Sequence, residues 1–142
     1  MSEYVVTGVP AILVPLLWDR VQPLLQDAID ESNGETDISI TYNELVEGEC
    51  TLVVIYKDKE IFGAANLRKR DFDTGKSAMF VTLLGGTNMQ DWIDDAHYVA
   101  KLIAKSTGCS EIYCVGRNGW EKVLKSIGYK RAYTLLSFSI EE

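Results

Sequence analysis

The stretch Leu83, Leu84, Gly85, Gly86, Thr87 and Asn88 closes an apolar run and leads straight into residues with helical spacing, so it joins a strand to a helix N-terminus. Two adjacent glycines permit close approach to the backbone, and the free amides that open a helix attract an anion such as phosphate. The same glycines equally suit a plain tight strand-to-helix turn. Local charge opposes a phosphate: from Ser77 to Ala100 there is no Lys or Arg, while Asp91, Asp94 and Asp95 occupy the first two turns of the expected helix. Those acids suit the helix dipole, by about 0.3–1 kcal/mol each when exposed, and weaken the hold of that end on a pyrophosphate.

Other reactive side chains are few. Cys50, Cys109 and Cys114 are an odd number in apolar surroundings, with neither CxxC spacing nor a neighbouring histidine, so they read as core thiols rather than a disulfide framework or metal site. The lone His97 lies mid-helix on the flank opposite Ala96 and Ala100 and reads as a solvated surface residue. Twenty-one acids against fourteen bases give a net charge of −7, which repels nucleic acid and anionic membranes. The one basic cluster, Arg68, Lys69 and Arg70, is offset by Asp71 and Asp73 in what reads as a hairpin tip, so no nucleic-acid partner is expected.

The elements that position these residues follow from periodicity. Val14, Leu17, Trp18, Val21, Leu24, Leu25, Ala28 and Ile29 make residues 12–32 one amphipathic helix, or two joined at Pro23, ending at Asn33-Gly34. A short helix over Thr41 to Glu47 closes at Gly48. CTLVVIY, the turn KDK, EIFGAANL and SAMFVTLL then form a three-stranded antiparallel meander. A helix from Met89 to Ser106, with Asn88 as N-cap and Gly108 past its end, carries Trp92, Ile93, Ala96, Val99, Ala100 and Ile103 on one face. SEIYCVG is a buried strand parallel to its predecessor, Gly119 to Ile127 a last helix, and YKRAYTLLSFSI a last strand or bent pair.

The order ααβββαβαβ, without repeat or linker, implies an α+β fold in a single domain spanning residues 1–142. The longest apolar run, Val9 to Trp18, is broken by Pro10 and Pro15, and the start MSEYVVTG lacks a basic flank. A soluble, cytosolic protein without membrane partners is expected.

The order of elements, the long helix between parallel strands, and the closing helix before Gly128-Tyr129 resemble the GNAT N-acetyltransferase superfamily over nearly the whole chain. More narrowly, Trp18, Val21, Pro23, Leu24, Gly34, Leu45, Gly48, Gly85, Gly86, Trp92, Gly108, Cys109 and GRNGWEKVL at 116–124 resemble small GNAT-like proteins of tailed bacteriophages and prophages. The resemblance implies a mixed, largely antiparallel sheet in which two parallel strands splay, here between Ala78 to Leu84 and Ile112 to Val115, to admit the pantetheine of acetyl-CoA. If acetyl-CoA binds, Leu83, Leu84 and the loop Gly85, Gly86, Thr87 and Asn88 are the implied contacts.

Two departures stand out. GGTNMQ lacks the Arg/Gln-x-x-Gly-x-Gly/Ala spacing of the superfamily's pyrophosphate loop, and its frequent general-acid tyrosine falls on Leu124. Acetyl transfer needs a base or water path for the amine, donors for the thioester carbonyl and an acid for the thiolate. Glu49 and Glu60 are candidate bases, and Tyr113 and Tyr133 candidate donors, each also readable as an ordinary edge or packing residue. Cys114 lines the implied gap and reads as packing rather than as a nucleophile, having no indicated cation. In GRNGW, Gly116 and Gly119 allow the turn, Trp120 anchors the helix, and Arg117 faces either solvent or an anion at the sheet's carboxyl edge.

Two functions of different class follow. The missing loop motif, missing tyrosine and acidic helix start favour a phage-encoded protein that has lost catalysis and works through contacts with phage or host proteins, in the host cytoplasm or as a virion or internal-core component. The alternative is an acetyl-CoA-dependent N-acetyltransferase acting on a protein or small amine, for which an acidic surface suits a cationic acceptor. Tyr4, Phe72 and Tyr98 are the aromatics that could mark an interface.

Overall fold

Val5, Val6, Thr7 and Val9 are all β-branched, and Val5–Val9 forms strand β1. It lies antiparallel to β2 (Thr51–Lys57), Val5 opposite Tyr56 and Val9 opposite Leu52. This strand precedes the first helix and is absent from the order expected above. In the computed structural model, which describes residues 3–32, 34–116 and 119–141, the sheet continues through β3 (Glu60–Asp71), β4 (Ser77–Gly86) and β5 (Glu111–Cys114) in spatial order β1-β2-β3-β4-β5. All neighbours are antiparallel except β4 and β5. Asp58 and Lys59, both at positive φ (51° and 73°), make the two-residue turn between β2 and β3.

Helix α1 (Val14–Asp30) is a single helix running through Pro23, preceded by a 3-10 turn at Ala11–Leu13. Helix α2 (Ile38–Val46) starts where the Asp37 carboxylate accepts from the Ile40 amide at 2.8 Å. Both cover one sheet face: Val14, Val21, Leu25 and Ile29 of α1 and Leu45 of α2 pack on Leu52, Val54, Ala64 and Leu83. Each large side chain so buried contributes roughly 1.5–3 kcal/mol.

The opposite face carries α3 (Ile93–Ser106), whose Ala100 and Ala104 lie on Val53, Ala65, Leu67, Met79 and Val81. Five residues before α3 begins, Asn88 takes a left-handed conformation and opens a 3-10 turn at Met89–Asp91; it makes no side-chain N-cap, and the α-helix begins later than its periodicity suggests. Gly108, at φ +82°, ends α3 as expected.

Helix α4 (Gly119–Lys125) follows β5. Residues 130–141 pair with no strand among the described residues, so the expected closing strand over YKRAYTLLSFSI is not formed there. Asn33, half of the expected cap pair, and Arg117 fall outside the described residues. Among the described residues no helix is long and apolar enough to cross a membrane.

Candidate active site

The strands β4 and β5 pair over only four residues, from Ala78 opposite Glu111 to Val81 opposite Cys114. At that point β4 carries a bulge: Val81 faces Leu67 and Leu83 faces Asn66 across β3, leaving Thr82 as the extra residue. A bulge bends its strand and increases its twist. Beyond it β4 runs on to Gly86 with β3 on one side and, among the described residues, no strand on the other, so the backbone of Leu83–Gly86 has an open edge. Ile112 to Val115, expected to splay from β4, stays bonded to it as far as the Val115 amide, which donates to the Val81 carbonyl at 3.3 Å; the fork is the point at Val81 and Cys114 where β5 ends and β4 continues.

On the α3 side of the fork lies an apolar cavity of about 40 Å³. Its walls include Val81, Leu84, Ala96, Ala100 and Leu124, and its polar groups are His97, Cys114 and Tyr129. The Tyr129 hydroxyl lies 3.0 Å from His97 Nδ1 and also reaches the Cys114 thiol. Burial is the main cause of every shift here: it lowers the pKa of His97, with Lys101 adding to that and Asp94 opposing it. It pushes the Cys114 thiol up to about 11 and the Tyr129 phenol well above its ordinary range. At neutral pH the cavity holds a neutral imidazole, a protonated thiol and a protonated phenol.

This corrects the reading of His97 as a solvated surface residue. It also places a hydroxyl where none was expected: Leu124 is an apolar wall of the cavity, and Tyr129, five residues later, brings in its phenol. The signal in the sequence is the Gly128-Tyr129 pair, which carries the superfamily resemblance. Gly128, at φ +117°, turns the chain so that Tyr129 points back under α3. Cys114 is half-buried with a raised pKa, and no cation beside it lowers that pKa toward a nucleophilic thiolate.

The glycine pair has a different explanation from a phosphate cradle. Both residues lie inside β4, paired with Ala64 and Gly63. A Cβ on Gly85 would overlap the Leu24 carbonyl of α1, and one on Gly86, at φ +151°, would overlap the Phe62 carbonyl. The glycines let α1 and β3 approach β4. Leu83 is buried against α1, while Leu84 lines the cavity. The Thr87 carbonyl accepts from the Trp92 indole at 2.8 Å, and the Asn88 side chain donates to the Tyr4 hydroxyl at 3.5 Å. Trp92 is fully buried.

Other expected residues lie elsewhere. Glu49 and Glu60 are exposed and away from the cavity. Tyr113 stacks on Phe72 and Phe80, and Tyr133 is exposed in the tail after α4. Tyr4 packs edge-on to Phe62, and Tyr98 is exposed on α3. Arg68 pairs with Glu44 of α2, Lys69 with Asp71 at 3.7 Å, and Arg70 lies over the Phe80 ring, so the basic cluster is spent on internal partners. The three cysteines are free thiols.

On the α2 side of the fork, buried Asn66 donates from Nδ2 to Thr82 Oγ1 at 2.7 Å, while its Oδ1 has no hydrogen-bond partner among the described residues. The bulge thus has a neutral polar group on each side.

No protein-family model matches the chain, and no curated protein sequence does. Its similarity to solved structures is extensive. An aminoglycoside acetyltransferase from an uncultured soil metagenomic sample, in complex with sisomicin, superposes with TM-score 0.73 at 13% identity over 99% of this chain and 97% of that one. The fold is that of the GNAT acetyltransferases. The aminoglycoside N-acetyltransferase AAC(6')-Iy in complex with CoA gives TM-score 0.70 at 11% identity over 98% and 95%. A predicted acetyltransferase with acetyl-CoA from Clostridium acetobutylicum gives 0.68 at 16% over 96% of both chains. Solved structures of this fold thus include complexes with CoA and with acetyl-CoA.

Proposed function

We propose that this chain is an acetyl-CoA-dependent N-acetyltransferase. One observation carries the reading: beyond the Thr82 bulge, Leu83–Gly86 presents an unpaired backbone edge directly beside the Tyr129, His97 and Cys114 cavity. Unpaired strand amides and carbonyls are the partners an extended amide-bearing arm such as pantetheine takes. A cavity of about 40 Å³ suits a group of a few heavy atoms, the size of an acetyl. Acetyl-CoA supplies the activated acyl group; the chain orients it and handles protons.

Tyr129 is the donor. Its raised pKa keeps the phenol protonated, so it gives a hydrogen bond to the departing thiolate, while His97 as its Nδ1–H tautomer donates to the phenol oxygen and holds it in place.

The nucleotide end fits less well, because Gly85 and Gly86 are occupied by packing and Asp91, Asp94 and Asp95 stand at the helix start. Affinity should therefore reside in the pantetheine half. Titration calorimetry with acetyl-CoA, acetylated pantetheine and ADP tests this: micromolar heats for the first two and none for ADP support the reading. No heat from acetyl-CoA at millimolar concentration ends it.

That acidic helix start favours a second reading, a phage-encoded GNAT-fold protein without catalysis that works through phage or host protein contacts, in the host cytoplasm or the virion. Absence of acetyl-CoA binding together with recovery of the protein from purified particles would support it.

A further inference from the structure

Helix α1 does not cover the whole of the sheet face on which it lies. The Leu24 carbonyl sits where a Cβ on Gly85 would be, so α1 is drawn down onto β4. A helix about 10–12 Å across covers roughly two strands spaced about 4.8 Å apart, whereas β2 and β1 lie two and three strands away from β4. Between those strands and the start of α1 the face opens into a cavity of about 560 Å³. It lies at the edge of the sheet, since β1 has no strand on its outer side among the described residues.

The cavity has two chemically different parts. Val9, Leu13, Leu17, Val54 and Ile61 wall it with hydrocarbon, and Arg20 and Lys59 bring cations to it beside the turn between β2 and β3. Leu13, Leu17 and Arg20 follow one another at four and three residues, which puts them on one stripe of α1 and the turn before it. Arg20 Nη1 donates to the Lys59 carbonyl at 3.4 Å, which sets the guanidinium next to Lys59.

Neither cation is neutralised. Lys57, Arg68, Lys69, Lys76 and Arg131 pair with carboxylates, but among the described residues Arg20 and Lys59 form no ion pair. No Asp or Glu lines the cavity among those residues, although the chain has 21 acids and a net charge of −7. Lys59 also stands at φ +73°, in a two-residue turn whose second position favours glycine. A lysine is thus kept where its backbone is costly and its side chain reaches the cavity.

We propose that this cavity binds an amphipathic anion, an unbranched medium-chain carboxylate whose hydrocarbon lies along Leu17 and Val54 and whose head group meets Arg20 and Lys59. Small-ligand sites are typically of roughly 300–1,000 Å³, mostly apolar, with a few polar groups that fix orientation. From Val9, opposite Leu52, to Tyr56 the strands run four residues, about 13 Å, which gives an extended chain its room. The Tyr129 cavity lies on the other face of the sheet, so the inference is independent of acetyl transfer.

NMR and calorimetric titration of the full chain with decanoate, kept below its micelle concentration, tests it. Decanoate should saturate below millimolar concentration, shift the methyl signals of Leu13, Leu17, Val54 and Ile61, and resist displacement by acetyl-CoA. Decanol, equally long but uncharged, should bind at least about tenfold more weakly, and inorganic phosphate should give no saturable shift. Arg20→Gln and Lys59→Gly should each weaken decanoate by about threefold or more. Lys59→Gly should do so with an unfolding midpoint at or above that of the native chain, because glycine suits the positive φ. No binding at millimolar decanoate overturns the proposal. So do equal affinities for decanoate and decanol, displacement by acetyl-CoA, or native affinity in both variants.

Discussion

Tyr129 Oη and His97 Nδ1 lie 3.0 Å apart across residues from α3 and from the turn after α4, at the wall of the cavity beside the β4 and β5 fork. Tyr129→Phe keeps the ring and removes only the hydroxyl, at a stability cost of about 1 kcal/mol. The acetyl-transfer rate should fall by roughly 10²-fold, with acetyl-CoA affinity changed less than about twofold if the phenol acts on the leaving group. Calorimetry beside single-turnover rates separates the two, and an unchanged rate removes Tyr129 from the chemistry.

Because a Cβ on Gly85 would meet the Leu24 carbonyl, Gly85→Ala must push α1 from β4. Destabilisation of at least about 2–3 kcal/mol is expected, readable as a lower denaturant midpoint. Were the glycine there only for a ligand, the variant would lose binding at unchanged stability.

Trp92 is fully buried, and its indole holds the Thr87 carbonyl at 2.8 Å. Trp92→Phe should cost about 1–3 kcal/mol through the lost hydrogen bond and lost volume. Hydrogen exchange should speed in residues 87–92 more than in α1, since Trp92 ties that segment to β4.

Alkali should weaken the fold through Cys114. Its pKa rises from the ordinary 9.0 to about 11, mainly by burial. The folded chain keeps a proton that the unfolded chain has lost, so unfolding free energy falls as pH climbs from about 9 to about 11, by at most ~1.4 kcal/mol per unit from this group. Tyr129 is shifted the same way and extends the loss to higher pH. Denaturant melts at pH 8 and 10 should show a steeper loss in the native chain than in Cys114→Ala.

His97 is shifted oppositely, burial lowering its pKa. Below about 6.5, the ordinary histidine value, the unfolded chain takes up a proton that the folded chain refuses, so stability falls on acidification toward the folded pKa. Histidine ring NMR shifts should report a neutral imidazole at pH 6.5, and His97→Gln should flatten the acid limb.

The meander, the parallel β5 and the long helices were legible because their apolar residues repeat at two or at three-to-four positions, and that period survives whatever packs on top. β1 was not, since five residues with Gly8 among them carry too little pattern until Val5–Val9 is seen against β2. The start of α3 was misjudged because Asn88 is a good cap by type, whereas Trp92 reaching back to Thr87 imposes a 3-10 turn first.

Residue order by itself determined the α+β class, the two parallel strands joined by a helix, and the place where the first of them ends in a glycine pair. Only tertiary structure decided what the glycines do, how Tyr129 and His97 meet and where the last strand is missing. Periodicity reports the local surface an element must bury. Which partner buries it, and which polar atoms converge, depends on contacts between residues far apart in the chain, such as Gly85 with Leu24 or His97 with Tyr129.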